Sequence, residues 1–140
     1  PLGTRGYGYS RVNLYGGEFE KYSIEGQEPF VVAMIESEKG LVNLDEILKV
    51  SGLDAILIGP YDLSAYLGKV GLFNDVQVVD AIEKIKEKCI AHKIATGIHV
   101  VNPYAVELQA RINEGFTFIV YSVDSVMLRL TAQNPITSQS

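Results

Sequence analysis

The stretch "DAILIGPYDLSAYLG", residues 54–68, decides the fold. Four consecutive apolar residues, Ala55 to Ile58, suit a strand covered on both faces, as strands of a parallel sheet are. Gly59-Pro60-Tyr61-Asp62 then turns the chain, and Leu63 to Leu67 reads as a helix. The turn delivers a carboxylate where the strand runs out, and two readings of Asp62 are open. As a helix N-cap, its oxygen accepts an orphan backbone N–H, and βα loops commonly end in such a residue. As a functional group, it needs a second carboxylate at an equivalent place.

Outward from this stretch the chain alternates strand and helix. "PFVVAMIE" (29–36) predicts a first strand and "NLDEILKVSG" (43–52) a helix, with Asn43 as cap, Glu46 completing a capping box and Gly52 after the end. "VQVVDAIEKIKEKCIAHK" (76–93) spaces Val79, Ile82, Ile85, Cys89 and Ile90 as the dry face of an amphipathic helix. "IATGIHV" (94–100) is a third strand. "PYAVELQARINEG" (103–115) is a helix with proline first and glycine last. "FTFIVYS" (116–122) is a fourth strand, and Asp124 opens a last helix as its cap, through Thr131. This alternation with continuous apolar strands predicts parallel β/α units, four of them from Pro29 onward. A complete eight-stranded β/α barrel takes about 250 residues, so the pattern fits either a small open α/β sheet or half of a barrel. Residues 1–28 read as a glycine-rich loop and short helix leading into residues 29–140. The glycines at 3, 6, 8, 16 and 17 follow no strand and do not make a dinucleotide fingerprint.

Composition bounds the function. The 140 residues carry 47% hydrophobic and 21% charged side chains and a net charge of −5, the mix of an ordinary globular domain. Charge runs are short and of mixed sign, so no nucleic-acid or anionic-membrane surface is expected. No apolar run reaches the length of a membrane span and no signal pattern opens the chain. Cys89 stands alone, which fits a cytoplasmic protein.

The second carboxylate is Glu36, which follows the first strand as Asp62 follows the second. Adjacent parallel strands lie about 4.8 Å apart, and sites in such folds form at the strands' carboxyl ends. Two carboxylates there suit a hard divalent cation that keeps several waters. A solvated loop acid or a turn cap is the alternative for Glu36.

At these residues a resemblance appears. "AMIESEKGLVNLDEILKVSGLDAILIGPYDLSAYLG" (33–68) resembles the HpcH/HpaI aldolase family, the metal-dependent class II pyruvate aldolases. The stretch "PLGTRGYGYSRVNLYG" (1–16) is similar to the family's P-x-G-x-R-G segment, and "ATGIHVVNP" and "EGFTFIVYSVDSVML" to its last two barrel strands. The resemblance implies a (β/α)₈ TIM barrel of the phosphoenolpyruvate/pyruvate type, of which this chain would be the second half, strands five to eight. It implies that Glu36 and Asp62 bind Mg²⁺ or Mn²⁺, with Co²⁺ also admissible, and that the backbone of Gly59, Pro60 and Tyr61 holds the pyruvate carboxylate. The implied reaction is reversible cleavage of a 4-hydroxy-2-keto acid into pyruvate and an aldehyde. The family's base and pyruvate-binding arginine would lie upstream of this sequence. The implied partners are a 2-keto acid and either a homo-oligomer, with exchange of the last helix, or the other half of the barrel. A non-catalytic half-barrel and an acyl-CoA lyase of the citrate lyase β type are the alternatives.

One position departs from the family pattern. Met34 stands where many members carry a glutamine that helps to hold substrate, and a thioether donates no hydrogen bond. Arg5 matches the family's R-G and would reach the site rim or another subunit, while Arg11 lies in the same loop segment. His99, at the end of the third strand, either faces substrate or packs; His92, at a helix end, is expected to complement the helix dipole. Tyr7, Tyr9 and Tyr15 are open between interface, core and substrate contact.

Overall fold

A computed structural model describes residues 8–132 of the chain, which divides into two compact units, Pro1–Phe30 and Val31–Ser140. The first unit has a 3₁₀ segment, Arg11–Gly16, followed by helix α1, Phe19–Glu25. Its anchor is the buried Asn13, whose Oδ1 accepts from the Ser10 and Gly16 N–H groups at 2.9 and 3.2 Å while Nδ2 donates to the Gly8 carbonyl at 2.9 Å. A buried amide with all these partners holds the loop closed without an apolar core. Tyr9 packs edge-on to Phe19, and Tyr9, Arg11 and Tyr15 are exposed. Arg5 and Tyr7 lie outside the described residues.

The second unit is a four-stranded, wholly parallel sheet in the order β1-β2-β3-β4: Val32–Ile35, Ala55–Ile58, Ala95–Val100 and Phe118–Tyr121. Consecutive strands are neighbours, as right-handed β/α crossovers produce. Helices α2 (Glu38–Val42), α3 (Leu44–Leu48), α4 (Pro60–Tyr66), α5 (Val76–His92), α6 (Ala105–Asn113) and α7 (Asp124–Thr131) fill the connections and the C-terminus. Ile35, Ile56, Ile58 and Ile98 point one way and form the core with Leu44, Leu48, Leu63, Ile85 and Cys89. Since strand side chains alternate, residues 34, 57, 97 and 118 share the opposite face, where Met34 is 52% exposed. Asp54 ties the first two strands at their starts, its Oδ2 accepting from the Val31 N–H at 2.7 Å.

Several local expectations are corrected. The helix predicted over 43–52 is present but shorter, as α3, and a separate helix not predicted, α2, precedes it, capped by Ser37, whose Oγ accepts from the Gly40 N–H at 3.2 Å. Asn43 does stand at the start of α3, but its Nδ2 turns back to the Lys39 carbonyl at 2.8 Å, so no capping box forms. Asp62 is not an N-cap: Gly59 holds that position, Pro60 is the first helical residue, and Asp62 lies within the first turn. Proline at the first turn needs no N–H and has its φ preset, which starts the helix early. Asp124 is likewise the first residue of α7 rather than its cap. Pro103 precedes the N-cap of α6, Tyr104, rather than opening the helix. On α5 the buried stripe is Val78, Ala81, Ile85 and Cys89, and Val79 and Ile90 are exposed. Asp75, not anticipated as a cap, accepts from the Gln77 N–H at 3.0 Å. A Lys88–Asp45 ion pair of 2.7 Å joins α5 to α3.

Candidate metal and substrate site

The carboxyl ends of β1, β2 and β3 bring the sequence-predicted residues to one edge of the sheet. Register sets them in tiers. Met34, Leu57, Gly97 and Phe118 are paired across the four strands. One step further, the Gly59 N–H donates to the Ile35 carbonyl at 3.1 Å, so the β1–β2 ladder continues to Glu36 and Gly59. His99, one residue beyond the Ile58–Ile98 pair, is paired with Val120. Glu36, Gly59 and His99 therefore share the upper tier and one face.

Gly59 is a glycine for a steric reason. A β-carbon there would lie 3.1 Å from Glu36 Cβ, 3.4 Å from Met34 Sδ and 3.5 Å from Glu36 Oε2. The Glu36 side chain thus folds over the main chain of the turn that carries Asp62. Both carboxylates are exposed, and neither has a hydrogen bond or ion pair among the described residues. No group of three or more His, Cys, Asp or Glu side chains arranged to hold a metal occurs among the described residues. The donor set is two carboxylates, which fits a hard oxygen-seeking cation that retains water ligands.

The turn itself is braced from behind. Leu63 is fully buried, and the Ser64 hydroxyl donates to the Tyr61 carbonyl at 2.8 Å while accepting from the Gly71 N–H at 3.1 Å. Tyr61 packs edge-on against Phe73 with ring centroids 4.7 Å apart. Of the turn's backbone donors, that of Gly59 is taken by Ile35 and Pro60 has none. The N–H groups of Tyr61 and Asp62, in the first turn of α4, have no partner among the described residues. Such donors at the start of a helix suit an anion.

A cavity of about 470 Å³ lies between α5 and α6, bordered by Tyr61, His99, Asn102 and Arg111. Neither Glu36, Asp62 nor Met34 lines it, so the carboxylate pair stands on an open surface of strand ends beside it. His99 Nε2 is 3.3 Å from the Ser122 carbonyl. His92 ends α5, where a cation complements the helix dipole, and its charge helps to hold Asp45 below the usual carboxylate range, after the larger effect of Lys88. Burial pushes the Cys89 thiol up, against a smaller opposing hydrogen bond to Thr96. The Tyr61 and Asp62 N–H groups were not legible in the sequence, because which donors remain free depends on where the helix starts.

Four parallel β/α units, with the exposed carboxylates of Glu36 and Asp62 following two adjacent strands, define an α/β domain. Residues 4–130 match the family model described as HpcH/HpaI aldolase/citrate lyase, and the chain belongs to that family. It is 34% identical over 139 residues to a hydroxypyruvate/pyruvate aldolase of Rhizorhabdus wittichii, matching 97% of this chain and 54% of that protein. It is 32% identical over 134 residues to a 5-keto-4-deoxy-D-glucarate aldolase of Enterobacter, matching 95% of this chain and 52% of that protein. A crystal structure of a family protein from Burkholderia cenocepacia superposes with a TM-score of 0.75 at 26% identity, covering 94% of this chain and 51% of that one. The chain spans about half the length of the curated relatives it matches. No helix among the described residues is long and apolar enough to cross a membrane.

Proposed function

We propose that this chain is the metal-bearing portion of a class II pyruvate aldolase, corresponding to strands five to eight of a (β/α)₈ barrel. Glu36 and Asp62 would hold the divalent cation, Mg²⁺ or Mn²⁺. The observation that supports this reading best is the placement of two exposed, unengaged carboxylates after adjacent strands, with Glu36 packed against the glycine that opens the turn to Asp62. The names of the two curated relatives favour an aldolase over a citrate lyase β type of activity.

In this reading, the cation when bound supplies a Lewis acid that stabilises negative charge on the keto oxygen of a 2-keto acid. The Tyr61 and Asp62 N–H groups donate to the substrate carboxylate, a set shifted one residue on from the Gly59–Tyr61 backbone because the Gly59 N–H is taken and Pro60 has none. Ser64 and Phe73 keep that turn rigid, which preserves the donors' positions. Met34 contributes an apolar wall on the same face and no hydrogen bond. The proton at the substrate hydroxyl is assigned to the base that the family resemblance places on earlier strands. Partnership with the remaining barrel strands or a further copy of the chain belongs to the same proposal.

The test is Mn²⁺ binding with and without pyruvate, on this chain and on Asp62→Asn. Asp62 caps no helix, so this variant keeps the fold. Binding that strengthens with pyruvate and weakens at least tenfold in the variant supports the proposal. Equal Mn²⁺ binding by both proteins overturns it.

A further inference from the structure

The cavity between α5 and α6 has a cause in the sequence of α6. Glu107, Arg111 and Glu114 recur at four- and three-residue spacings, so they share one face of the helix. All three border the cavity. Charged groups do not close onto an apolar surface without losing their hydration. No residue of α6 is buried, and the helix stands off α5 with about 470 Å³ between the two. We propose that this cavity is a second ligand site, which takes a primary ammonium group carried on an aromatic body. The inference does not depend on the site proposed for Glu36 and Asp62.

Charge selects the ammonium. The fixed charges that border the cavity are those of Glu83, Glu107, Arg111 and Glu114. Glu83 is compensated by Lys86 at 2.9 Å, and Glu114 by Arg111 at 2.7 Å. Glu107 is half-buried and has no hydrogen bond or ion pair among the described residues. Arg111, one turn further along the same face, is turned to Glu114 instead. Glu107 is therefore the uncompensated charge of the lining, and partial removal from water strengthens its attraction for a cation. Asn102 also borders the cavity, half-buried, with no side-chain hydrogen bond among the described residues. Its amide oxygen adds a second acceptor for an N–H donor.

Shape selects the body. Val79 and Ile82 of α5 and Ile98 of β3 give the cavity its apolar lining. Tyr61 and Phe73 border it as an edge-on pair with ring centroids 4.7 Å apart. Aromatic rings gain from edge-to-face and offset contacts beyond their buried area, so a third ring suits this wall. The volume lies in the range of small-molecule sites. A phenylethyl group with an ammonium at its end meets both requirements.

The experiment uses three probes on one phenylethyl body: phenethylamine, 2-phenylethanol and 3-phenylpropionate, which end in an ammonium, a hydroxyl and a carboxylate. Each is titrated into the full chain without added metal and followed by ligand-observed NMR, so the result is separate from that of the Mn²⁺ titration. Phenethylamine is expected to bind with a Kd of about 1 mM, in keeping with its few atoms. It should bind about tenfold tighter than the alcohol, within the range of a hydrogen bond to a charged group, and the acid should bind more weakly than the alcohol. Glu107→Gln is expected to bring phenethylamine to the level of the alcohol, and unchanged binding of the alcohol reports an intact cavity. Val79→Trp, at an exposed position of α5, fills the cavity from its rim and is expected to abolish binding of the amine, with an unchanged urea midpoint reporting the fold. An amine that binds no better than the alcohol or the acid overturns the inference. So does a preference that survives Glu107→Gln, unchanged amine binding in Val79→Trp, or no amine binding by the wild type at about 20 mM.

Discussion

Gly59→Ala tests how tightly fold and site are joined. An unstrained contact between carbon atoms lies at about 3.5–4.0 Å. The new methyl would meet Glu36 Cβ at 3.1 Å, so one of them has to give by a few tenths of an ångström. Glu36 Cβ is bonded to the main chain where β1 ends and cannot swing away like a side-chain tip. Ligand distances in a formed metal site lie within about 0.2 Å of standard values, so Mn²⁺ affinity should fall about tenfold or more, equivalent to ~1.4 kcal/mol. Folding stability should move much less. The backbone at Gly59, φ −94°, is open to alanine, and the entropy gained by removing a glycine, about 0.4–1 kcal/mol, offsets mild overpacking of about 1 kcal/mol. The assay is a free-Mn²⁺ titration by electron paramagnetic resonance alongside urea unfolding of the same sample. A variant that binds Mn²⁺ as the wild type does, with an unchanged unfolding midpoint, would refute the claim that Glu36 and the turn form one site.

Other substitutions check the scaffold. Gly97→Ala should cost more stability than Gly59→Ala, about 2–3 kcal/mol in urea unfolding, because its methyl would lie 2.5 Å from the Phe118 ring and 2.6 Å from the Phe118 carbonyl oxygen. Asp45 is held below 3.8 chiefly by its hydrogen bond to Lys88. Its folded pKa is depressed, so the stability it contributes is present at neutral pH and is lost as pH falls through that lowered value. The gap between wild type and Asp45→Asn should therefore be small at neutral pH and close below 3.8, read from urea midpoints across acid pH. Burial raises the Cys89 thiol above 9.0, so the folded chain holds that proton more tightly than the unfolded chain. Stability should then decline as pH rises past 9.0 toward the folded value, and Cys89→Ala should remove that alkaline slope.

The sequence by itself determined the four parallel β/α units. Runs such as Ala55–Ile58 are apolar at every position because both faces of a central parallel strand are covered, and that pattern survives without any long-range information. Family membership was legible for the same reason, since the I-E and G-P-x-D-L-S stretches are local. Helix starts were less legible. Asp62 and Asp124 are good caps by residue type, yet Gly59 and Val123 hold the cap positions of their helices, whereas Asn43 does hold that of α3 without a side-chain cap bond. Capping turns on backbone geometry one or two residues away, and at Asp62 the preset φ of Pro60 decided it. Only the tertiary structure decided which residues meet. Strand register set Glu36, Gly59 and His99 on one tier, though 63 positions separate the first from the last. Helix start left the Tyr61 and Asp62 N–H groups without partners among the described residues, and the fold brought the Ser122 carbonyl to 3.3 Å from His99 Nε2. Local pattern chooses the elements because burial is periodic; the site depends on register and approach, which pair residues that are far apart in the chain.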